Sequence, residues 1–214
     1  MTSGGHRSDS HYVIAKCRRP ANQPIGIPNN STSNQETTDD AETEDRMMVA
    51  YCRAGKLGAA YFTLQTGELY VLDEIVDRPP DYLMFCNLFR QVEPALILLD
   101  GSTQGAFVSK VKTTVFARNE GEGTGKCKLL LISSKEYNFE ACKRRIYSLV
   151  LPHEPANCSE EERIMFLRTA VDFNQTQSVH ALGALLRYLD LNWSNLNMDL
   201  QGKPEFMSLR KISL

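Results

Sequence analysis

The stretch Glu120-Gly121-Glu122-Gly123-Thr124-Gly125-Lys126-Cys127 is the nearest this chain comes to a phosphate-binding loop. Such a loop works when glycines let backbone amides turn toward a phosphate and a following helix adds its dipole. Here Glu120 occupies the place of the leading glycine, Cys127 follows the lysine instead of Ser or Thr, and the apolar run Lys128–Ile132 predicts a strand next. The segment reads as a flexible connection. His153-Glu154 opens like a zinc-protease motif, but Asn157 stands where the second histidine belongs, and Pro152 and Pro155 forbid the helix that would align two ligands. His180 falls within a predicted helix with no second histidine nearby, and reads as an ordinary helical residue. Two-metal nuclease chemistry needs carboxylates clustered on adjacent strands. The first predicted strand has none, and Asp73, Glu74 and Asp100 fall at strand ends. No Ser/His/Asp or Cys/His arrangement is present. Lys143-Arg144-Arg145 is the densest basic cluster; it is a solvated helix face or a contact to a partner or DNA.

Charge narrows the classes further. The 214 residues carry 24 Lys+Arg and 26 Asp+Glu, with five and seven of these in residues 1–46, so the remainder holds nineteen of each. A neutral body is a poor candidate for a self-sufficient grip on nucleic acid, which needs several cations on one face. The longest apolar runs, such as Ala95–Leu99, are far too short to span a bilayer. The N-terminus lacks a signal peptide's apolar core, so a reducing compartment is expected. The six cysteines (17, 52, 86, 127, 142 and 158) then read as free thiols, none spaced as paired zinc ligands. The Asn-x-Ser/Thr triplets at Asn29, Asn30, Asn157, Asn174 and Asn192 are chance matches in that setting.

The elements that position these residues follow from pattern. Residues 1–46 read as a disordered tail, rich in Pro, Asn, Ser and Thr and ending in the acids Glu36, Asp39, Asp40, Glu42, Glu44 and Asp45. Tyr12-Val13-Ile14 is its one apolar island. Strands are predicted over Met47–Cys52, Leu57–Leu64 and Glu68–Leu72, joined by tight turns into an antiparallel meander. Pro79-Pro80 stops the sheet, and Asp81 is expected to cap a helix from Tyr82 to about Val92. Ala95–Leu99 and Lys128–Ile132 read as strands buried on both faces, as parallel strands between helix layers are, with a helix from Thr103 to about Lys112 between them. From Tyr137 the chain turns helical, with Phe139, Cys142 and Ile146 on one face. Ser159 and Glu162 form a capping box for the next helix, and Val179, Leu182, Leu186 and Leu189 recur on a further one. After Trp193 the pattern is extended. The result is an α/β domain with a mixed sheet.

Three stretches carry a resemblance. Gly55-Lys56-Leu57-Gly58-Ala59-Ala60-Tyr61-Phe62 followed by Thr66-Gly67-Glu68-Leu69 resembles the opening of the connector domain of the MutS family of DNA mismatch-repair and recombination ATPases. Ser178–Leu189 resembles the helix by which that family leaves the connector for the lever domain. The stretch Glu136–Leu151, with Lys143-Arg144-Arg145, and the helix after Ser159 resemble the meiotic branch, above all the fifth MutS homologue. The similarity covers about Met47 to Leu214.

The resemblance implies an RNase H-like connector over residues 47–152, followed over 153–214 by a helical transition into a truncated lever domain. It implies a non-catalytic part of a DNA clamp acting in meiotic recombination, nuclear and chromosome-associated. The fourth MutS homologue is the implied partner, with recombination intermediates held by the complete protein. ATP and Mg belong to the full-length family's C-terminal ATPase, whose phosphate loop this sequence lacks; no cofactor is expected in this chain. Canonical mismatch readers carry a Phe-x-Glu wedge, and no Phe-x-Glu occurs here. The chain is expected to be a fragment or an incomplete gene product. Lys143, Arg144 and Arg145 are the residues expected at a partner or DNA contact. Two readings compete: a metal-dependent RNase H-like nuclease, and a stand-alone adaptor that has lost the ATPase.

Overall fold

The computed structural model describes residues 46–102, 105–121, 125–152, 154, 159–196 and 204–214. Expectations for the tail, the center of the Gly-rich loop and His153 lie outside these residues. Among them the chain runs β1 (Arg46–Arg53), β2 (Lys56–Thr63), β3 (Glu68–Val76), α1 (Leu83–Val92), β4 (Leu96–Asp100), α2 (Ala106–Glu120), β5 (Lys128–Ile132), a 3-10 turn (Ser134–Tyr137), α3 (Phe139–Tyr147), α4 (Glu160–Ala170), α5 (Thr176–Leu196) and β6 (Ser208–Ile212). The strands form one mixed sheet in the order β5-β4-β1-β2-β3-β6. β1, β2 and β3 pair antiparallel, whereas β4 joins β1, β5 joins β4 and β6 joins β3 in parallel. The fold is mixed α/β, as the patterning predicted.

Side chains alternate across a strand, so β1 feeds two cores. Met47, Val49 and Tyr51 point to one, with Ala60, Phe62, Val71 and Leu98, and are covered by α3, α4 and α5 through Cys142, Ile146, Leu167, Leu182, Leu185 and Leu189. Met48 and Ala50 point to the other, with Ala59, Leu72, Ile97 and Leu99, beneath Phe85, Leu88 and Phe89 of α1 and Phe107 and Val111 of α2. Helices cover both faces of the sheet.

Several expectations need correction. The cap of α1 is not Asp81. Tyr82, buried against Phe107, occupies the cap position in a left-handed conformation (φ 45°) and gives no side-chain bond. Asp77, itself buried, reaches in from the end of β3, and its carboxylate accepts from the amides of Met84 (3.3 Å) and Phe85 (2.9 Å). α2 begins at Ala106 and runs to Glu120, later and longer than the Thr103–Lys112 expected. β5 is an edge strand, not one buried on both faces, and Leu131 is 46% exposed there. Asp73 and Glu74 lie inside β3 and not at its end.

Residues 160–214 pack on the same sheet as residues 47–152. α5 lies across the sheet and β6 extends its edge, with Glu68 paired to Ser208 and Leu72 to Ile212. The contact of α5 with the sheet is specific. A Cβ on Gly58 would fall 2.1 Å from the Gln177 carbonyl carbon, so only glycine lets the start of α5 lie this close to β2. Opposite Gly58 the β2–β3 register shifts. At that shift Glu74 joins Lys56 (2.6 Å) and accepts from the Gln177 amide, while Ser178 Oγ donates to the Leu72 carbonyl (2.6 Å).

Candidate partner-binding surface

The basic cluster sits on α3, whose start is capped by Asn138 accepting from the Ala141 amide (3.0 Å). Successive helical residues point about 100° apart, so Lys143, Arg144 and Arg145 cannot share one face. The structure separates them. Arg145 is internal wiring: its guanidinium donates to the Glu136 carbonyl (2.8 Å) and the Gly183 carbonyl (3.3 Å), and pairs with the Glu136 carboxylate (2.7 Å). Close approach of α3 to α5 makes this possible, because a Cβ on Gly183 would stand 2.2 Å from the Cys142 Cβ. Arg144 is exposed, and Lys143 lies with its Nζ 5.9 Å from the center of the Tyr147 ring. Of the three, Lys143 and Arg144 are free to meet another molecule.

Two grooves flank α3. One, about 450 Å³, lies between the end of α3, α5 and residues 204–206 and includes Arg145, Val150, Arg187, Asp190 and Phe206. Its charges are matched internally: Arg187 lies 3.4 Å from both Glu136 and Asp190. The other, about 360 Å³, lies between α3 and the α4–α5 turn. Phe139, Tyr147 and Phe173 line it, with Val171 buried and Lys143 and Arg168 as its cations. The Tyr147 and Phe173 rings are 4.7 Å apart, and Arg163 steadies Tyr147 by donating to its carbonyl (2.5 Å).

Part of this second groove could be found in the sequence. Phe139, Lys143 and Tyr147 recur at i, i+4 and i+8, one stripe of α3. Arg168 and Phe173 carry no such signal, since only the α4–α5 turn brings them to α3.

The other chemically suggestive residues have structural partners. Asp100, at the end of β4, accepts from the amide and hydroxyl of Ser102 (2.9 and 2.8 Å). His180 packs between Tyr51 (4.8 Å) and Phe139 (5.7 Å). Burial holds its pKa below the ordinary value, opposed by a hydrogen bond to the Tyr137 backbone. Its Nδ1 and the neighboring Tyr137 hydroxyl are buried without protein partners. Burial pushes the thiols of Cys52, Cys127 and Cys142 up to about 11, which keeps them protonated and poorly nucleophilic near neutral pH. Asn119 clasps the base of the Gly-rich loop through both the amide and the carbonyl of Cys127 (2.8 and 2.9 Å). A strand follows that loop, as predicted. Among the described residues no group of three or more His, Cys, Asp or Glu is arranged to hold a metal ion, and no helix is long and apolar enough to cross a membrane. No protein-family model matches the chain.

Proposed function

We propose that this chain is a non-catalytic connector module of a MutS homologue of the meiotic branch, RNase H-like in fold. It acts within a DNA clamp for recombination and crossover formation, in the nucleus and on chromosomes. In this reading the complete protein binds ATP, Mg and recombination intermediates through other domains and pairs with the fourth MutS homologue. The observation that carries it is the junction at Gly58. Two of the three stretches that resemble the family, 55–62 and 178–189, lie far apart in sequence yet meet there, α5 resting on β2 where only glycine fits. The antiparallel meander followed by parallel β4 and β5 supports the RNase H-like assignment.

The contact residues in this reading are Lys143 and Arg144, with Arg145 holding α3 in place. Co-expression with the fourth MutS homologue tests it: the two chains are expected to co-purify, and Arg144→Glu is expected to reduce recovery about tenfold, as loss of an interface charge can. ATP hydrolysis by the isolated chain at a defined catalytic residue would overturn the proposal. So would magnesium-dependent nucleic-acid cleavage abolished by Asp100→Asn, which would favor a nuclease instead.

A further inference from the structure

The grooves on either side of α3 differ in one respect that matters for binding. In the α3–α5 groove each arginine already faces a carboxylate. In the groove beside the α4–α5 turn, Lys143 and Arg168 have no ion-pair partner among the described residues. The one acid lining it, Asp172, is occupied by the amide and side chain of Asn174 (2.9 and 3.0 Å) and by Gln175. Glu140, one turn before Lys143 and Arg144, is exposed and makes no ion pair with either. Two cations against one acid leave net positive charge over aromatic walls.

We infer that this groove binds an acidic peptide segment bearing one aromatic side chain. The ring packs against Phe139 and the paired Tyr147 and Phe173 rings, and flanking carboxylates meet Lys143 and Arg168. The volume of about 360 Å³ falls within the range of pockets that enclose a small ligand. Offset and edge-on contacts with the Tyr147–Phe173 pair favor an aromatic guest over an aliphatic one. A nucleic-acid strand could also stack on these rings, but tracking its backbone takes a groove lined with cations. Here Lys143, Arg144 and Arg168 stand on a body with as many acids as bases, enough for two or three carboxylates and too few for a strand.

This inference rests on the reading of Lys143 and Arg144 as partner-facing residues. Its probe is a fluorescein-labeled synthetic peptide with one tryptophan between paired aspartates and glutamates, titrated by anisotropy against the full chain. Saturable binding is expected, weakened about tenfold or more by Lys143→Glu and by Arg168→Glu, by replacing the tryptophan with serine, or by amidating the carboxylates. Both protein variants sit at the surface and are expected to keep the parent's circular dichroism and melting midpoint. No saturation at millimolar peptide, equal binding by both variants, or tighter binding of a single-stranded oligonucleotide lost in the same variants would overturn it. Co-purification of the fourth MutS homologue separates the two proposals. If that partner is retained while the peptide fails, the groove assignment falls alone; if the peptide binds and the partner does not, the connector reading falls alone.

Discussion

Two residues, the buried Asp77 and the half-buried His180, show how single side chains set the stability of this chain. Asp77 satisfies two amides at the start of α1, which otherwise has no cap. Asp77→Ala leaves both without that partner, the Phe85 amide in a buried setting and the Met84 amide in a half-buried one, and is expected to cost about 1–2 kcal/mol, measured by urea unfolding. Asp81→Ala, at the position the sequence pattern favored, is expected to change little. His180 gives a pH signature. Its folded pKa is depressed, chiefly by burial, with Arg53 pushing the same way and Asp100 and the Tyr137 carbonyl opposing. The unfolded chain therefore takes up the proton first as pH falls, so stability is full above the ordinary histidine value of about 6.5 and declines below it, until the folded form also protonates. His180→Phe is expected to flatten that decline between neutral pH and about pH 5.5 in urea titrations. The carboxylates of the whole chain add their own slope at lower pH.

At the level of elements, the junction between β2 and α5 is the most demanding contact. Gly58→Ala would place a methyl group within the Gln177 backbone, which cannot yield as a flexible side chain would. The expected cost is about 3 kcal/mol, with loss of the Ser178–Leu72 bond, read as a lower denaturant midpoint and faster exchange of the α5 amides. The same junction explains what could be read from the sequence. β1, β2, β4 and β5 were legible to within a residue or two, because short β-rich runs between turn signals are local features. The capping box at Ser159 was legible for the same reason and is present, with Glu162 reaching back to the Ser159 amide (2.8 Å). Burial of β5 was not legible, since whether a strand lies at the edge depends on what pairs beyond it. The cap from Asp77 was not legible either, because it reaches seven and eight residues along the chain, past the three-residue spacing of local caps. At the surface of α3, sequence alone made one cluster of Lys143, Arg144 and Arg145; helical geometry and the pull of Glu136 on Arg145 divide it.

For the molecule as a whole, the question is where the folding unit ends. The resemblance implies a boundary near residue 152, whereas the pattern alone has the chain turn helical from Tyr137. Packing places no boundary there. Without α5 the sheet face formed by Val49, Ala60, Phe62, Leu69 and Val71 would lose Val179, Leu182, Leu185, Leu186 and Leu189, which are buried against it. α3 and α4 alone supply few fully buried side chains to that core, chiefly Cys142, Ile146 and Leu167. Burial of one such aliphatic side chain contributes about 1.5–3 kcal/mol, so losing five, about 7–15 kcal/mol, is comparable to the whole net stability of about 5–15 kcal/mol typical of a domain. A chain ending at Pro152 is therefore expected to lack a cooperative unfolding transition and to bind a hydrophobic dye, whereas the 214-residue chain is expected to unfold in one transition by circular dichroism. A truncation after Leu196 separates helix from strand. It keeps α5 and removes β6, which uncovers the β3 edge and takes away the partly buried Phe206, Leu209 and Ile212, Phe206 being packed edge-on against Phe62 (5.7 Å). That variant is expected to remain folded with a lower midpoint. A cooperative transition in the 152-residue chain would mean instead that α5 rests on a domain already complete without it.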